Sequence, residues 1–328
     1  MGDPAGVGPE IILKSARSVR TGPPLVIAGD LGALRAASAL VPDAPQAVPW
    51  TPGDPLPSAA GRLPVIEVSR LKARALRAGK PTLEGADAAY RYIRTAAEMA
   101  LAGSAAGIIT APINKEWLNR AGHHFAGHSE LLAQMAGVRR WRMMFVGRQL
   151  RLALVTVHLG LAKVSRCLSE ARVFDTIALL SEHLQHDARL SHPRVAVLGF
   201  NPHAGESGLF GREEIDAIQP AIARARSQGI DAFGPLPPDT AFVRSNGRFR
   251  FDAAVAMYHD QGLIPLKMLD FDHAVNVTLG LPFVRTSPDH GTAYDIAGQG
   301  SARAESMSAA IRFAARVARR RAATGMQA

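Results

Sequence analysis

The stretch from Arg151 to Phe200 decides the fold class. It opens with RLALVTV (residues 151–157), continues with a helical segment from Lys163 to His186, and closes with RVAVLGF (residues 194–200). Two short apolar runs separated by a helix of this length are typical of parallel strands joined by a helical crossover. We therefore predict an α/β protein built on a parallel sheet.

The same alternation continues on both sides of this stretch. Helical spacing of apolar residues predicts a helix over residues 86–102, which ends at Gly103, and a further helix over residues 212–227. The Pro- and Gly-rich segment from Val41 to Arg62 is interpreted as a surface loop. Further strands are predicted at residues 24–29, 64–68, 106–110, 141–146 and 253–257.

Length and composition restrict the class of protein. The 328 residues, 47% hydrophobic and 20% charged, fit one two-lobed enzyme or two domains and exclude wholesale disorder. No segment approaches the ~20 apolar residues of a membrane span, and no secretory signal is predicted. The single cysteine, Cys167, excludes a disulfide framework and suits a reducing compartment. We expect a cytoplasmic protein without a membrane partner.

The formal net charge is +10, with much of the arginine in the carboxyl-terminal segment. On a helix, this segment is interpreted as a solvated basic face. Nucleic-acid binders usually interleave aromatic residues with basic ones, and aromatic residues make up 6% of this chain. We therefore expect an anionic small substrate and no nucleic-acid partner. The arginines concerned are Arg312, Arg316, Arg319, Arg320 and Arg321.

Three histidines follow predicted strands. His158, His203 and His259 each stand within about three residues of a strand end. Ligands of open parallel sheets bind where the carboxyl ends of the strands converge. Three neutral imidazoles with open positions would make a catalytic divalent-metal site. The alternative is that they are hydrogen-bonded loop residues on different edges that never meet.

A second set of polar residues points to an anion. His128 and Ser129 precede a short helical run, where an imidazole, a hydroxyl and free backbone N–H groups would meet a negative charge. The alternative is a capping box in which Ser129 is the N-cap and no ligand binds. Lys267, Asn276 and Arg285 follow later in the chain, and Lys267 and Arg285 lie in apolar stretches of sequence. A buried charge needs a partner, which is either a phosphate or carboxylate of a ligand or a carboxylate of the protein itself.

The glycine-rich segments do not identify a nucleotide site. Residues 2–10 (GDPAGVGPE) open a helix but lack the Lys-Ser/Thr ending of a P-loop. No Gly-x-Gly-x-x-Gly follows a predicted strand, so a Rossmann cofactor site is unsupported.

Eight motifs in one order resemble the 4-hydroxythreonine-4-phosphate dehydrogenase family across nearly the whole chain. They are GDPAGVGPE, TAPINK, GHSELL, TVHLGL, NPHAGESGLFGREE, GPLPPDTAF, YHDQGLIPLK and VNVTLGLPFVRTSPDHGTAYDIAG. The resemblance implies a homodimer of two-lobed α/β/α subunits, similar to isocitrate and isopropylmalate dehydrogenases, with the active site in the cleft between lobes, at the dimer interface. We expect a first lobe of residues 1–120 plus 286–328 and a second of residues 121–285.

The resemblance also implies site residues. His158, His203 and His259 become ligands of one divalent ion (zinc, magnesium, manganese or cobalt), and His128, Ser129, Lys267, Asn276 and Arg285 become substrate-binding residues. The ion would lower the pKa of the substrate hydroxyl for hydride transfer, and Lys267 and Asp260 are both candidate general bases. The loop with His290, Gly291 and Asp295 resembles the adenosine loop of isopropylmalate dehydrogenases, where an aspartate favours NAD over NADP.

Two departures and two alternatives accompany this resemblance. Ser129 stands where the family usually has threonine, which keeps the hydroxyl. The family places a strand before GDPAG, whereas this sequence begins on the motif, so we expect an upstream extension to stabilise the protein. Relatives with the same histidines oxidise D-threonate or D-erythronate 4-phosphate or aromatic dihydrodiols, although the retained cationic residues disfavour the last group. A non-catalytic binding protein would require a broken site.

Overall fold

The computed structural model describes residues 1–18, 23–57 and 61–325. Its helices are α1 Gly8–Ser18, α2 Leu31–Ser38, α3 Leu83–Leu101, α4 Lys115–Arg120, α5 His128–Met135, α6 Leu161–Cys167, α7 Glu170–His186, α8 Gln219–Ser227, α9 Pro238–Ala241, α10 His259–Leu269 and α11 Glu305–Ala323. Short 3₁₀ segments span Ala73–Leu76 and Pro202–Gly208, and a π-helical turn, Glu214–Ile218, precedes α8.

The strands alternate with these helices. They are β1 Ile27–Asp30, β2 Gln46–Pro49, β3 Arg62–Ser69, β4 Gly107–Ile109, β5 Arg142–Val146, β6 Arg151–Leu154, β7 Val195–Leu198, β8 Ala232–Leu236, β9 Ala253–Ala256, β10 Val275–Leu279 and β11 Val284–Pro288. The predicted α/β class is confirmed. No helix in the described part of the chain is both long and apolar enough to cross a membrane.

The chain divides into two compact units. The first unit is discontinuous and comprises Met1–Val138 and Leu281–Ala328, and the second is Arg139–Gly280. The sequence placed the boundaries at 120/121 and 285/286, so His128, Ser129 and Arg285, expected in the second lobe, lie in the first unit.

The first unit contains parallel strands in two groups. One sheet has the order β1-β3-β2, and β11 pairs in parallel with β4. A cluster of aliphatic side chains from α1, α2, β3 and α11 forms its core, with Ile11, Leu34, Val65 and Met307 fully or almost fully buried. The strand β2 lies within the segment that was interpreted as a loop, because the three residues between Pro45 and Pro49 carry little pattern. Residues 58–60 of that segment lie outside the described residues.

The second unit carries one mixed sheet in the order β10-β5-β6-β9-β7-β8. The strands β6, β9, β7 and β8 are parallel neighbours, while β5 is antiparallel to both β6 and β10. The sheet that the sequence predicts as parallel therefore also contains antiparallel pairs at this edge. Four residues connect β5 to β6, closed by a hydrogen bond from the Gly147 nitrogen to the Leu150 oxygen, and a parallel crossover needs a far longer connection.

The helix predicted over residues 163–186 is two helices. The chain breaks between α6 and α7, where the Ser169 hydroxyl accepts a hydrogen bond from the Arg172 nitrogen as the N-cap of α7. Likewise, the helix predicted over residues 212–227 starts as a π-helical turn and continues as α8. In α11, Ile311, Phe313, Ala314 and Val317 are buried while Arg312, Arg316 and Arg319 are exposed, so this helix is amphipathic with a basic outer face.

Candidate active site

A buried arginine lies on the central strand pair of the first unit. Arg285 is in β11, 2% exposed, and its Nη2 donates a hydrogen bond of 2.7 Å to the Oγ1 of Thr110, which directly follows β4. The register pairs Thr286 with Ile109, and the Thr110 nitrogen donates to the Thr286 oxygen. The parallel pairing of β4 and β11 therefore fixes the guanidinium and the hydroxyl side by side.

The amino end of α5 adds an imidazole and a second hydroxyl. His128 is the first residue of α5, and Gly127 is its N-cap, without a side-chain cap. Ser129 lies inside the helix, and its Oγ accepts a hydrogen bond of 3.4 Å from Nη1 of Arg285. The alternative that Ser129 caps α5 is therefore wrong. Two hydroxyls, an arginine and an uncapped helix start form one group, which we call the anion pocket: Thr110, His128, Ser129 and Arg285.

The charges around the anion pocket are predominantly positive. Burial lowers the pKa of His128 well below its ordinary value, and the positive charges of Arg285, the Met1 amine and Lys115 lower it further. Burial also lowers the pKa of Arg285 to about 10, against the attraction of Glu130, so the guanidinium stays charged at neutral pH. His128 is therefore a neutral imidazole beside a buried cation.

The anion pocket contains unused hydrogen-bonding capacity. The buried Nε2 atom of His128 has no hydrogen-bond partner among the described residues. Buried polar atoms are almost always paired with protein, water or ligand, so this atom is available to a water molecule or a ligand. The Lys115 side chain also lies nearby, since a Cβ added at Gly127 would lie 3.3 Å from its Cε. This arrangement suits a phosphate or carboxylate group.

The loop with the predicted cofactor residues packs on the amino-terminal motif. His290, Gly291 and Asp295 are exposed. Between them, the Tyr294 hydroxyl donates a hydrogen bond of 2.5 Å to the Oδ2 of Asp3, which is 2% exposed. Burial raises the pKa of Asp3, while the hydrogen bonds from Tyr294 and from the Ala5 nitrogen lower it.

Backbone contacts hold the same loop against the amino-terminal motif. The Val7 nitrogen donates to the Thr292 oxygen, and a Cβ added at Gly6 would lie 2.9 Å from that oxygen. The GDPAG motif therefore supports this loop, a role that the sequence reasoning missed.

In the second unit, the three predicted metal histidines follow three neighbouring parallel strands. His158 lies beyond β6, His259 is the first residue of α10 after β9, and His203 follows β7. Since β9 pairs with both β6 and β7, all three histidines leave the same edge of the sheet. The ring centroids of His158 and His259 lie 6.2 Å apart. An ion ~2.1 Å from one nitrogen of each ring can span that separation, so these two rings fit one metal ion.

His203 occupies a distorted segment. Residues His203, Ala204, Glu206 and Ser207 all have left-handed φ values between 42° and 58°, in a region that costs non-glycine residues roughly 1–2 kcal/mol each. The His203 ring packs against Phe210, with ring centroids 6.2 Å apart. Within the described residues, no three His, Cys, Asp or Glu side chains converge closely enough to hold a metal. His203 would have to turn to complete the set that His158 and His259 begin.

The remaining predicted residues of the second unit have separate environments. Asp260 is exposed, and its Oδ1 lies 2.6 Å from the Nδ1 of His259, which leaves the Nε2 of that ring available to a metal. The Lys267 amine lies 5.3 Å from the centroid of the Phe271 ring. The Asn276 Oδ1 atom on β10 is buried and has no hydrogen-bond partner in the part of the chain that the structure describes. Asp260 therefore contacts the Nδ1 side of the His259 ring and helps to fix the orientation of that ring.

Two buried polar residues that the sequence reasoning missed hold the histidine loops. The Gln261 side chain accepts a hydrogen bond from the Met257 nitrogen and donates one to the Gly199 oxygen, which ties the ends of β9 and β7 together. Glu214 accepts hydrogen bonds from the backbone nitrogens of Phe200 and Asn201 at the start of the His203 segment. Gln261 stands close to the end of the strand predicted at residues 253–257, which is a signal in the sequence, whereas Glu214 stands well beyond the strand predicted at residues 194–200 and gave none.

Known proteins resemble this chain over nearly its full length. Residues 21–314 match the family described as pyridoxal phosphate biosynthetic protein PdxA. A 4-hydroxythreonine-4-phosphate dehydrogenase of Geobacter metallireducens is 49% identical over 326 residues, 97% of this chain and 94% of that protein. A D-threonate 4-phosphate dehydrogenase of Salmonella typhimurium is 44% identical over 328 residues, 97% of each chain.

A solved structure gives the same result. The crystal structure of 4-hydroxythreonine-4-phosphate dehydrogenase from Klebsiella pneumoniae superimposes with a TM-score of 0.85 at 42% identity, covering 97% of this chain and 98% of that one. The fold and these relatives define the chain as a dehydrogenase, an oxidoreductase. It belongs to the PdxA family of pyridoxal phosphate biosynthetic proteins, which confirms the resemblance found in the sequence motifs.

Proposed function

We propose that the protein oxidises 4-phosphohydroxy-L-threonine with NAD in a divalent-metal-dependent reaction. The secondary alcohol loses a hydride to the nicotinamide and its hydroxyl proton to a base, which gives 2-amino-3-oxo-4-phosphooxybutanoate. This β-keto acid then loses carbon dioxide and yields 3-amino-2-oxopropyl phosphate for pyridoxal phosphate biosynthesis. The anion pocket carries the proposal, because a buried arginine beside a neutral imidazole, two hydroxyls and an uncapped helix start fits an anionic substrate.

Each residue of the anion pocket has a role in this proposal. Arg285 binds an anionic group of the substrate and is itself oriented by Thr110 and Ser129. His128 stays neutral and gives the substrate a hydrogen-bonding atom, Nε2, without a second buried charge. Holding the substrate by its charged end removes much of its freedom before the chemical step.

The second unit supplies the groups for the reacting oxygen. We assign His158, His203 and His259 as metal ligands; when bound, the ion acts as a Lewis acid that stabilises negative charge on the substrate oxygen. Asp260 holds the Nδ1 side of His259. Lys267 is then the proton acceptor, and Asn276 offers its buried side-chain oxygen to a polar group of the substrate.

NAD is the proposed cofactor, with NADP used less well. Asp295 is exposed on the loop that Tyr294 and Thr292 hold against the amino-terminal motif. A carboxylate there accepts hydrogen bonds from a ribose hydroxyl and repels a 2′-phosphate. His290 and Gly291 line the same loop.

A second candidate substrate is D-threonate 4-phosphate. The Salmonella typhimurium protein with that name is 44% identical over 97% of both chains, and the anion pocket recognises a group that both substrates carry. D-erythronate 4-phosphate belongs to the same chemical class.

The test measures NADH formation on the three substrates, with NAD and with NADP. Each reaction runs on metal-loaded protein, after chelation, and after add-back of zinc, magnesium, manganese or cobalt. Fastest turnover of 4-phosphohydroxy-L-threonine, lost on chelation, supports the proposal. Faster turnover of a threonate or erythronate phosphate moves the substrate assignment, and turnover unaffected by chelation contradicts the metal assignment.

We also propose that the second unit mediates a homodimer in the cytoplasm. Exposed apolar side chains concentrate there, and contiguous exposed apolar surface marks protein interfaces. Ile264, Met268 and Phe271 recur at helical spacing on and just after α10, with 59%, 82% and 62% of their surface exposed. Light scattering should show a dimer that Met268→Glu converts to a monomer, while Leu83→Glu, an exposed position in the first unit, leaves it intact.

A further inference from the structure

Two adjacent acidic residues of the second unit converge on one side-chain amide. The Nδ2 atom of Asn201 donates a hydrogen bond of 2.7 Å to the Oε2 of Glu213 and one of 2.8 Å to the Oε2 of Glu214. A side-chain amide nitrogen carries two hydrogens, so the two carboxylates take both. Because ionised carboxylates only accept, the nitrogen of this amide and not its oxygen has to face them.

Glu214 also binds the backbone that leaves β7. Its side chain is almost fully buried, and its Oε1 accepts hydrogen bonds of 2.7 Å from the backbone nitrogens of both Phe200 and Asn201. Together with the Asn201 side chain, three N–H groups therefore end on one carboxylate. Hydrogen bonds to an ionised acceptor are stronger than those between neutral groups, so Glu214 holds the chain firmly at this point.

Glu213 connects the same point to the segment that follows His158. Its Oε1 accepts a hydrogen bond of 2.5 Å from the Oγ of Ser165 in α6, the helix that begins three residues after His158. Burial raises the pKa of Glu213, but the hydrogen bonds from Ser165 and Asn201 lower it and prevail, so the pKa lies below its ordinary value. The ionised Glu213 therefore links the segment after β6 to the segment after β7.

The backbone packs directly against these two carboxylates. A Cβ added at Gly205 would lie 2.7 Å from the Oε2 of Glu214. A Cβ added at Gly211 would lie 2.6 Å from the Oε2 of Glu213 and would collide with the Asn201 amide nitrogen. Only glycine allows so close an approach, and the two carboxylates are thereby confined to their positions.

The point that the carboxylates hold lies just before His203. Since consecutive Cα atoms are 3.8 Å apart, the Cα of His203 lies at most about 7.6 Å from that of Asn201. Fixing one end of a segment reduces the conformational entropy that the segment loses when one of its side chains binds a ligand. The position of Asn201 therefore limits where the His203 ring can lie when it turns toward an ion.

We propose that Glu213 and Glu214 are positioning residues for His203: by holding Asn201, they keep the segment after β7 where His203 can bind the same ion as the other two histidines. This role rests on the proposed metal assignment.

The two carboxylates differ in what a glutamine would preserve. At Glu214, a glutamine has one oxygen for three N–H donors, so its own NH₂ group would face a donor. At Glu213, a glutamine can keep both hydrogen bonds, because its oxygen accepts from Asn201 and the Ser165 hydroxyl can accept from its NH₂. Equal loss of charge at the two positions should therefore have unequal effects.

The first test is zinc binding to the full chain, measured by calorimetry. Glu214→Gln and Glu213→Ala should each weaken the affinity about tenfold, which is within the usual range for residues that support metal ligands. Glu213→Gln should stay within about threefold of the parent. Asp216→Asn, an exposed carboxylate of the same π-helical turn, is the control and should not change the affinity.

A double-mutant cycle separates positioning of His203 from a general effect on stability. In a His203→Ala background, Glu214→Gln should cause no further loss of zinc affinity, because no ligand remains for it to position. In a His158→Ala background, it should still cause its tenfold loss. If Glu214→Gln does not fold, Glu213→Ala, at a half-buried position, replaces it in the same cycle.

The outcomes distinguish this role from the metal assignment. Parental affinity in Glu214→Gln and Glu213→Ala, with weaker binding in His203→Ala, would overturn the positioning role alone. Equal losses in the His203→Ala and His158→Ala backgrounds would also overturn it, since they indicate a general effect. Parental affinity in His203→Ala would contradict the assignment of His203 as a ligand, and the positioning role with it.

Discussion

The anion pocket and the three histidines proposed as metal ligands differ in how far the fold holds their side chains together. Arg285, Thr110 and Ser129 lie on or beside regular elements, are buried, and hydrogen-bond one another. His158 and His203 are exposed on segments after strand ends, and His203 lies in left-handed backbone. The fold itself therefore holds the first set in contact, whereas, within the described residues, it does not bring the three histidines of the second set together.

The largest expected effect comes from the built pocket. Arg285→Lys keeps the charge but loses the planar fork that reaches Thr110 and Ser129 together. We expect kcat/KM for the best of the three phosphorylated substrates to fall by roughly 10²–10³-fold, since disrupting a buried charged hydrogen-bond partner costs about 2–5 kcal/mol. Arg312→Lys, an exposed position on α11, is the control. A loss below about threefold would show that the pocket is not used.

Substitutions in the histidine set should weaken metal binding and leave the stability of the metal-free protein nearly unchanged. His259→Ala removes one of the two neighbouring rings and should weaken binding of zinc or cobalt at least about 100-fold by calorimetry, because two ligands hold an ion far less well than three. The Tm of the metal-free protein should stay within about 2 °C of the parent, as expected of a partly exposed side chain. His186→Ala on the surface of α7 is the control. Unchanged metal affinity would remove His259 from the ligand set.

A smaller effect should follow from the carboxylate behind His259. Asp260→Asn leaves the imidazole in place but removes the charged partner of its Nδ1. Metal affinity should fall about 10–100-fold, the usual range for such supporting residues. Asp239→Asn, an exposed residue of α9, should have no effect. If Asp260 were instead the general base, kcat would fall while the metal affinity stayed at the parent value.

The smallest effect concerns stability and pH. The pKa of His128 is lowered in the folded state, by burial first and then by Arg285, the Met1 amine and Lys115. Below its ordinary pKa of about 6.5, unfolding takes up a proton at this residue, so the free energy of unfolding declines as the pH falls through that value. His128→Gln should lose less stability than the parent between pH 7.5 and pH 5 in urea titrations. His186→Gln should keep the parental pH dependence, and an equal slope for His128→Gln would contradict the burial argument.

The sequence predicted strands and helices where pattern and length coincide. RLALVTV and RVAVLGF became the parallel strands β6 and β7, and the Ala-rich run became α3. β2 was missed because its four residues have no alternation. The helix α10 was missed because Asp260, Gly262 and Pro265 within it are residues typical of loops. The antiparallel β5 and β6 were readable from the short connection between them.

The candidate site was predictable in its residue types and less so in its contacts. Strand-end logic brought His158, His203 and His259 to one sheet edge, and the structure places them after adjacent strands. No sequence pattern predicts that Thr110 accepts the Arg285 hydrogen bond, because the two residues are distant in sequence. The same holds for the hydrogen bond from Gln261 to Gly199, which links the segment after β9 to the segment after β7. The motif GDPAG identified Asp3 as part of a recognisable segment, but nothing in the sequence indicated that Tyr294 is its hydrogen-bond partner.

The second unit begins and ends on neighbouring strands. Arg142 of β5 is paired with Leu279 of β10, and Gly280, with a φ of 86°, packs against the Arg140 oxygen. The stretch from Arg139 to Gly280 is therefore a single uninterrupted insert whose two ends meet. At the level of the gene, such an insert can be removed and the two parts of the first unit joined by a short linker. It can also be exchanged between relatives. Such an exchange would replace the proposed metal ligands and leave the proposed anion pocket in place.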